Sequence, residues 1–134
     1  MQKISIQTNK REQFLEITDH IIQFVKENSI DSAVITVYCP HTTAAITINE
    51  NADPDVTRDI IHEIDKIIPF EDGYRHFEGN SAAHIKASFF GSSDTLLVHN
   101  GRLQLGRWQG IYFCEFDGPR SREIWVQAGQ TKTK

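Results

Sequence analysis

A chain of 134 residues with 39% apolar and 24% charged side chains has the size and balance of one folded domain, and too much apolar content for a disordered segment. Its formal net charge of −4, with no run of Lys or Arg, argues against a nucleic-acid or anionic-membrane surface, either of which needs a basic stripe. No apolar stretch reaches the roughly 20 residues that span a bilayer. Met1-Gln2-Lys3 leads into a strand pattern rather than a signal peptide, so a cytoplasmic protein is expected.

Lys3-Ile4-Ser5-Ile6-Gln7 alternates polar and apolar residues and predicts a half-buried strand. Gln13 to Ile17 is expected to pair with it across the polar turn Thr8-Asn9-Lys10-Arg11. Thr18 suits a helix N-cap with Asp19 near the positive end; Ile21, Ile22 and Val25 make the apolar face, and Asn28-Ser29 ends the helix. Ala33 to Cys39, rich in β-branched residues, reads as a strong strand that Pro40 stops, and Thr43 to Ile48 is a second alternating run. Asp53-Pro54 opens a helix, Asp as N-cap and Pro in the first position, which runs to about Ile67 and buries Ile60, Ile61, Ile64 and Ile67.

A loop spans Pro69 to Gly79, and Asn80 is placed to cap a third helix through Phe89. Thr95 to Val98 is a strand, Asn100-Gly101 a turn, and Ile111 to Phe116 a further strand. Asp117-Gly118-Pro119-Arg120 turns into the last strand, Glu123 to Gln127, and the polar tail from Gly129 is expected to fray. Strands arrive in pairs rather than alternating with helices, which predicts one α+β layered domain over residues 1–134 with a largely antiparallel sheet. No glycine-rich phosphate fingerprint follows any strand, so a dinucleotide fold is excluded. Cys39 and Cys114 lie in apolar strand runs and read as buried free thiols.

Of the six histidines, His20 and His62 fall on the polar sides of their helices and His99 beside a turn, so these three read as solvated. His41, His76 and His84 stand where elements begin or end, where side chains can converge on a cleft. Imidazole is the commonest ligand for zinc-like ions, and a catalytic zinc keeps three protein ligands and an open position. The eight-residue gap between His76 and His84 matches no helical metal motif, so spacing alone leaves both ligation and hydrogen-bonded pocket histidines open. Gly79-Asn80-Ser81-Ala82-Ala83-His84-Ile85-Lys86 puts small residues at a helix start, where backbone N–H groups can meet an anion and His84 and Lys86 add charge. An ordinary capped helix packed through its alanines accounts for the same residues.

In Asn49-Glu50-Asn51-Ala52-Asp53, the capping role belongs to Asp53, which leaves Glu50 as a candidate acid or base. Glu115 and Asp117, two apart, are expected on one strand face beside Arg120, either as site carboxylates or as a surface salt-bridge cluster. Gly106-Arg107-Trp108-Gln109-Gly110 offers an indole and an amide in a glycine-flanked loop, suited to stacking on a planar ring or to filling a gap in the core.

Taken in order, His41-Thr42-Thr43-Ala44-Ala45-Ile46-Thr47-Ile48-Asn49-Glu50-Asn51, the stretch from His76 through Lys86, and Gly106-Arg107-Trp108-Gln109 with Glu115-Phe116-Asp117-Gly118-Pro119-Arg120 closely resemble the motifs of the YjbQ-like family, over nearly the whole chain. The resemblance implies a β-sheet sandwich with helices packed on it, assembled as a homotrimer with a pocket near a subunit boundary. The family label, secondary thiamine-phosphate synthase, implies joining a hydroxymethylpyrimidine diphosphate to a thiazole phosphate with release of diphosphate. On that reading Glu50, Asp117 and His84 are the catalytic candidates, and His41, His76 and His84 hold a divalent metal, zinc or magnesium, or donate hydrogen bonds. Asn49, Asn80, Ser81, Lys86, Trp108, Gln109, Glu115 and Arg120 would contact a phosphorylated small molecule. The family pattern Gly-Thr-Trp-Gln carries Arg107 in place of its Thr here, an extra cation beside the expected site. A non-catalytic trimer that binds a metabolite or metal, and a zinc-dependent hydrolase, are the alternatives.

Overall fold

The structure is a computed structural model and describes residues 1–129; the rest of the tail expected to fray lies outside the described residues. Gly129 itself is tied down, its N–H donating to the Val34 carbonyl at 2.6 Å. Among the described residues eleven elements follow one another: β1 (Gln2–Gln7), β2 (Gln13–Glu16), α1 (Thr18–Glu27), β3 (Ala33–Tyr38), β4 (Ala44–Glu50), α2 (Pro54–Ile67), α3 (Ser81–Phe90), β5 (Ser93–His99), β6 (Arg102–Gln104), β7 (Gln109–Glu115) and β8 (Ser121–Ala128). They form a five-stranded sheet in the order β1-β8-β3-β5-β6 and a three-stranded sheet in the order β2-β7-β4. Every pairing among these strands is antiparallel. The α+β sandwich expected from the sequence is what the chain adopts.

Strand periodicity explains the layers. On β7, Ile111 and Phe113 point into one apolar core with Ile35 and Val37 of β3, Leu96 and Val98 of β5 and Ile124 and Val126 of β8, which joins the two sheets face to face. Tyr112 and Cys114 point the other way, into a second cluster with Ala83 and Ala87 of α3. The small α3 residues Ala82, Ala83 and Ala87 are buried there, so the helix sits close to the three-stranded sheet. Helix α1 adds Ile21, Phe24 and Val25 to the main core.

Several local expectations are corrected. β1 and β2 do not pair; β1 lies against β8 and β2 against β7, in different sheets. The intervening turn is pinned to the opposite end of the chain, with the Thr8 N–H donating to the Arg120 carbonyl and the Arg11 carbonyl accepting from the Gly118 N–H. Thr18 is the first residue of α1 rather than its cap; its hydroxyl donates to Glu16 Oε2 and accepts from the Ile111 N–H, bridging helix and sheet. No residue of α2 is fully buried: Ile60, Ile61 and Ile64 are half-buried and Ile67 is 63% exposed, so the isoleucine face predicted to enter the core is only partly covered on this chain. β6, three residues long, carries no alternation that sequence reading could detect. The thiols of Cys39 and Cys114 are free and buried, as expected. Burial pushes the Cys39 thiol up to about 11, which makes it unreactive at neutral pH.

Candidate functional site

Pro40 ends the β3 run and delivers His41 to the rim of the sandwich, where the loop before α3 supplies His76 and the first turn of α3 supplies His84. The three histidines line one open cleft of about 490 Å³ together with Asn80, Asp117, Arg120 and Arg122. The rings of His76 and His84 meet edge to face, with centroids 5.4 Å apart at 89°. His84 also lines the two adjoining hollows, one running toward Ser88 and Gly91 and the other toward Tyr74 and Ile85. Convergence of the three motif histidines is therefore a property of the fold.

Their roles differ. His41 Nε2 lies 3.0 Å from the Glu123 amide nitrogen and 3.1 Å from the Glu123 carbonyl oxygen, which ties the ring to the backbone of β8. Burial, and after it the Arg122 guanidinium, hold this imidazole below its ordinary value, so it is neutral at pH 7. His76 and His84 are free of such a backbone tie, with only Glu78 Oε2 at 3.9 Å from His76 Nε2. Among the described residues no group of three His, Cys, Asp or Glu side chains is placed to hold a metal ion.

Asn80 occupies the N-cap position of α3 without capping it. Its Nδ2 donates instead to Asp117 Oδ2 at 2.9 Å, and its Oδ1 is buried with no hydrogen-bond partner among the described residues. The start of α3 therefore has no side-chain cap: the Ala83 and His84 N–H groups donate to the Asn80 carbonyl, and those of Ser81 and Ala82 stand at the helix's positive end without a side-chain acceptor. Arg120 grips Asp117 twice, through Nε to the carbonyl and Nη2 to Oδ2, both at 2.9 Å, while half of its side chain stays exposed toward the cleft.

Glu115 and Asp117 do not share a face. β7 ends at Glu115, whose carboxylate continues the inward row of Ile111 and Phe113 and is fully buried, whereas Asp117 has entered the turn. Inside the sandwich Glu115 meets the buried Arg122 of β8 through Nε at 2.8 Å and through Nη2, and it also accepts from Thr8 Oγ1 and the Asp117 N–H. Burial alone would raise the Glu115 carboxyl; Arg122, Thr8 and the Asp117 N–H together hold it below the usual carboxylate range. Glu115 thus braces the cleft floor and is closed off from a ligand.

Lys86 is also turned away. It lies two residues beyond His84, about 200° around the helix, and its buried ammonium bridges Glu12 and Asp65. This link ties α2 to α3 and to the segment before β2.

A second group of expected residues gathers elsewhere. Register pairs Ala44 with Glu115 at one end of the β4–β7 ladder and Glu50 with Gln109 at the other, so Asn49, Glu50, Trp108 and Gln109 lie about 20 Å from the histidines at 3.3 Å per residue. There Tyr112 Oη donates to the Glu50 carbonyl, and the Asn51 N–H donates to the Trp108 carbonyl. Trp108 is 53% exposed, with the Arg107 guanidinium 4.7 Å from its ring centre. On one chain the two groups are separate.

Sequence reading passed over Arg122, Thr43 and Glu78, all of which line the cleft. A usable signal existed for Arg122: with Ile124 and Val126 it forms one period-2 face, and an arginine on the apolar face of a strand requires a buried anion.

The comparisons with known proteins agree with this architecture. The family model described as UPF0047 protein YjbQ-like matches residues 2–131. Protein YugU of Bacillus subtilis is 51% identical, over 95% of this chain and 97% of its own length, and protein MJ1081 of Methanocaldococcus jannaschii is 50% identical, over 93% and 91%. Among solved structures, an uncharacterized conserved protein from Clostridium acetobutylicum superposes with a TM-score of 0.94 at 52% identity, covering 96% of this chain and 99% of that one. A conserved hypothetical protein from Thermus thermophilus gives 0.89 at 37% identity, with coverage of 96% and 99%. By sequence and by fold, the chain belongs to the YjbQ-like UPF0047 family.

Proposed function

We propose that the histidine cleft binds the phosphate or diphosphate group of a small metabolite and that His84 transfers a proton there, with a reaction of the thiamine-phosphate type, loss of diphosphate from a carbon centre, as the chemistry it serves. The reading rests on one observation: His76, His84, Asn80 and Arg120 face one hollow at the uncapped start of α3. A departing diphosphate needs positive charge and hydrogen-bond donors already in place, which Arg120, the helix start and the imidazole N–H groups supply. Asp117 orients both Asn80 and Arg120. A divalent ion fits the donor set only through His76 and His84, with the remaining positions left to ligand oxygens, and it would supply further charge neutralisation.

The reading includes a homotrimer. Two facts support it: the Glu50–Trp108 group lies a sheet's length from the histidines, and the isoleucine face of α2 is only partly covered on this chain. In an assembly, one subunit's Glu50 end can complete its neighbour's histidine cleft, where the carboxylate serves as the proton acceptor. Free buried thiols accord with a reducing cytoplasm.

Titration of diphosphate into the purified protein tests binding, and incubation with the pyrimidine diphosphate and thiazole phosphate tests turnover. Arg120→Ala is expected to weaken diphosphate about tenfold, and His84→Ala to abolish product while the fold is kept. Unchanged product formation in His84→Ala with binding lost removes the catalytic assignment and leaves a binding protein. Elemental analysis and light-scattering mass measure the metal and the trimer directly.

A further inference from the structure

Arg120, the half-exposed cation of the cleft, ends the Asp117–Arg120 turn, and a second turn holds that one in place. One residue binds the Arg120 backbone on both sides. The Thr8 N–H donates to the Arg120 carbonyl at 3.1 Å, and the Arg120 N–H donates to Thr8 Oγ1 at 3.0 Å. Thr8 is 1% exposed, so it does not touch a ligand itself. Its hydroxyl has a single proton. The Glu115 carboxylate stands 2.8 Å from Oγ1 and the Arg120 carbonyl 3.1 Å, so the proton goes to the nearer, charged acceptor and a lone pair is left for the Arg120 N–H. Glu115 Oε2 also accepts the Asp117 N–H at 3.1 Å. The buried carboxylate therefore holds one end of the turn directly and the other through Thr8. The middle is held from the same segment, where the Gly118 N–H donates to the Arg11 carbonyl at 2.9 Å. A Cβ at Gly118 would run into the Lys10 carbonyl and lie 2.9 Å from Thr8 Oγ1, so the two turns are pressed together.

We infer that Thr8 is a positioning residue for Arg120: its buried hydroxyl, fixed by Glu115, sets where the Arg120 backbone lies and so where the guanidinium meets a phosphate oxygen. The inference rests on the phosphate reading of the cleft and adds the element that holds its cation. Asp117 fixes only the far end of the long Arg120 side chain, at 2.9 Å from both Nε and Nη2. With the backbone fixed at Thr8 as well, the guanidinium is held at two points, and binding has less side-chain freedom left to remove. The rest of the Thr8–Glu12 segment reaches the other walls of the cleft from behind. Glu12 pairs with Lys86 of α3 at 2.8 Å, and the Arg11 guanidinium lies 3.5 Å from the Phe70 ring centre. Thr8 reaches the residue whose charge lines the cleft.

Calorimetric titration of inorganic diphosphate reads the effect. Thr8→Val keeps the shape and removes the hydroxyl, whereas Thr8→Ser keeps the hydroxyl and removes a methyl group. Thr8→Val is expected to weaken diphosphate about fivefold, and Thr8→Ser to bind within about twofold of the wild type. Both change a buried position and should lower the melting temperature; under a purely structural role the affinity would follow that loss rather than the hydroxyl. Added to Arg120→Ala, Thr8→Val is expected to change affinity no further, because Thr8 acts through that side chain. Unchanged affinity in Thr8→Val, an equal loss in both variants, or a full further loss in the Arg120→Ala background overturns the inference. Circular dichroism checks the fold. If Thr8→Val is unfolded, Thr8→Ala replaces it against Thr8→Ser, a pair that differs only in the hydroxyl. Failure of both hydroxyl-free variants to fold assigns the hydroxyl to stability and also overturns the inference. An Arg120→Ala variant that binds diphosphate as the wild type does removes the phosphate reading itself, whereas a loss there with none in Thr8→Val removes the role of Thr8 alone.

Discussion

Replacing Glu115 by Gln tests whether a buried ion pair holds the cleft floor. The substitution keeps the shape and deletes the charge. Glu115 Oε1 accepts from Thr8 Oγ1 and Arg122 Nε, both at 2.8 Å, and Oε2 accepts from Arg122 Nη2 and the Asp117 N–H. Whichever oxygen becomes an amide, two donors then face a donor, and Arg122 stays buried without a counter-charge, left with the one amide oxygen and the Thr43 carbonyl and hydroxyl as acceptors. Breaking a buried pair from one side costs about 3–5 kcal/mol, which for a chain of this length lowers the melting midpoint by about 11–18 °C. Replacing both partners, Glu115→Leu with Arg122→Met, is expected to recover much of that loss. The pH dependence has a definite sign. The folded carboxyl titrates below its ordinary value, so the unfolded chain takes up a proton first as pH falls. The stability from Glu115 is complete above the ordinary glutamate range and is lost as pH drops below about 4.5 through the folded value. Denaturant unfolding at fixed protein concentration, at pH 7 and at steps between 5 and 3, reads both effects. A loss under about 1 kcal/mol at pH 7, or an acid slope identical to that of the wild type, would refute the reasoning.

Lys86→Met should lower stability by about 1–2 kcal/mol, since it leaves Glu12 and Asp65 without their cation. Diphosphate affinity should stay unchanged by titration, and a large drop in affinity would return Lys86 to the site. Gly110→Ala would set its new Cβ 2.7 Å from both Asn51 Cβ and Glu16 Oε2. It should cost about 1–3 kcal/mol by thermal unfolding and disturb the Trp108 end while diphosphate binding at the histidines persists. His41 titrates below its ordinary value when folded, so its contribution is present above about 6.5 and lost as pH falls through its folded value. His41→Gln should flatten that part of the stability–pH curve, measured as above.

How much of this was legible in the chain can be judged element by element. Ala33 to Tyr38 is β-branched at its four central positions, and Asp53-Pro54 is a helix start that needs no tertiary help; the Asp53 side chain does accept from the Asp55 N–H. The three motif histidines could be picked out because each stands at the end of an element, and they do meet. The residues beside them were harder. Lys86 looks like a phosphate ligand in a linear reading because its charge is visible there, but the direction of a side chain is not.

Local chemistry in the sequence determined the strands, the helix starts, the α+β class and the histidines worth watching, since each depends on residues within a few positions of one another. Tertiary structure alone decided which strands pair, sending β1 to β8 and β2 to β7, because that choice depends on burying Ile6, Phe113 and Val126 in one core across the length of the chain. It also decided that Glu115 is enclosed while Asp117 is open, since β7 ends at Glu115 and the arginine that could neutralise a buried carboxylate came from β8. A charge's partners are set by packing, and packing is a property of the assembled sheets.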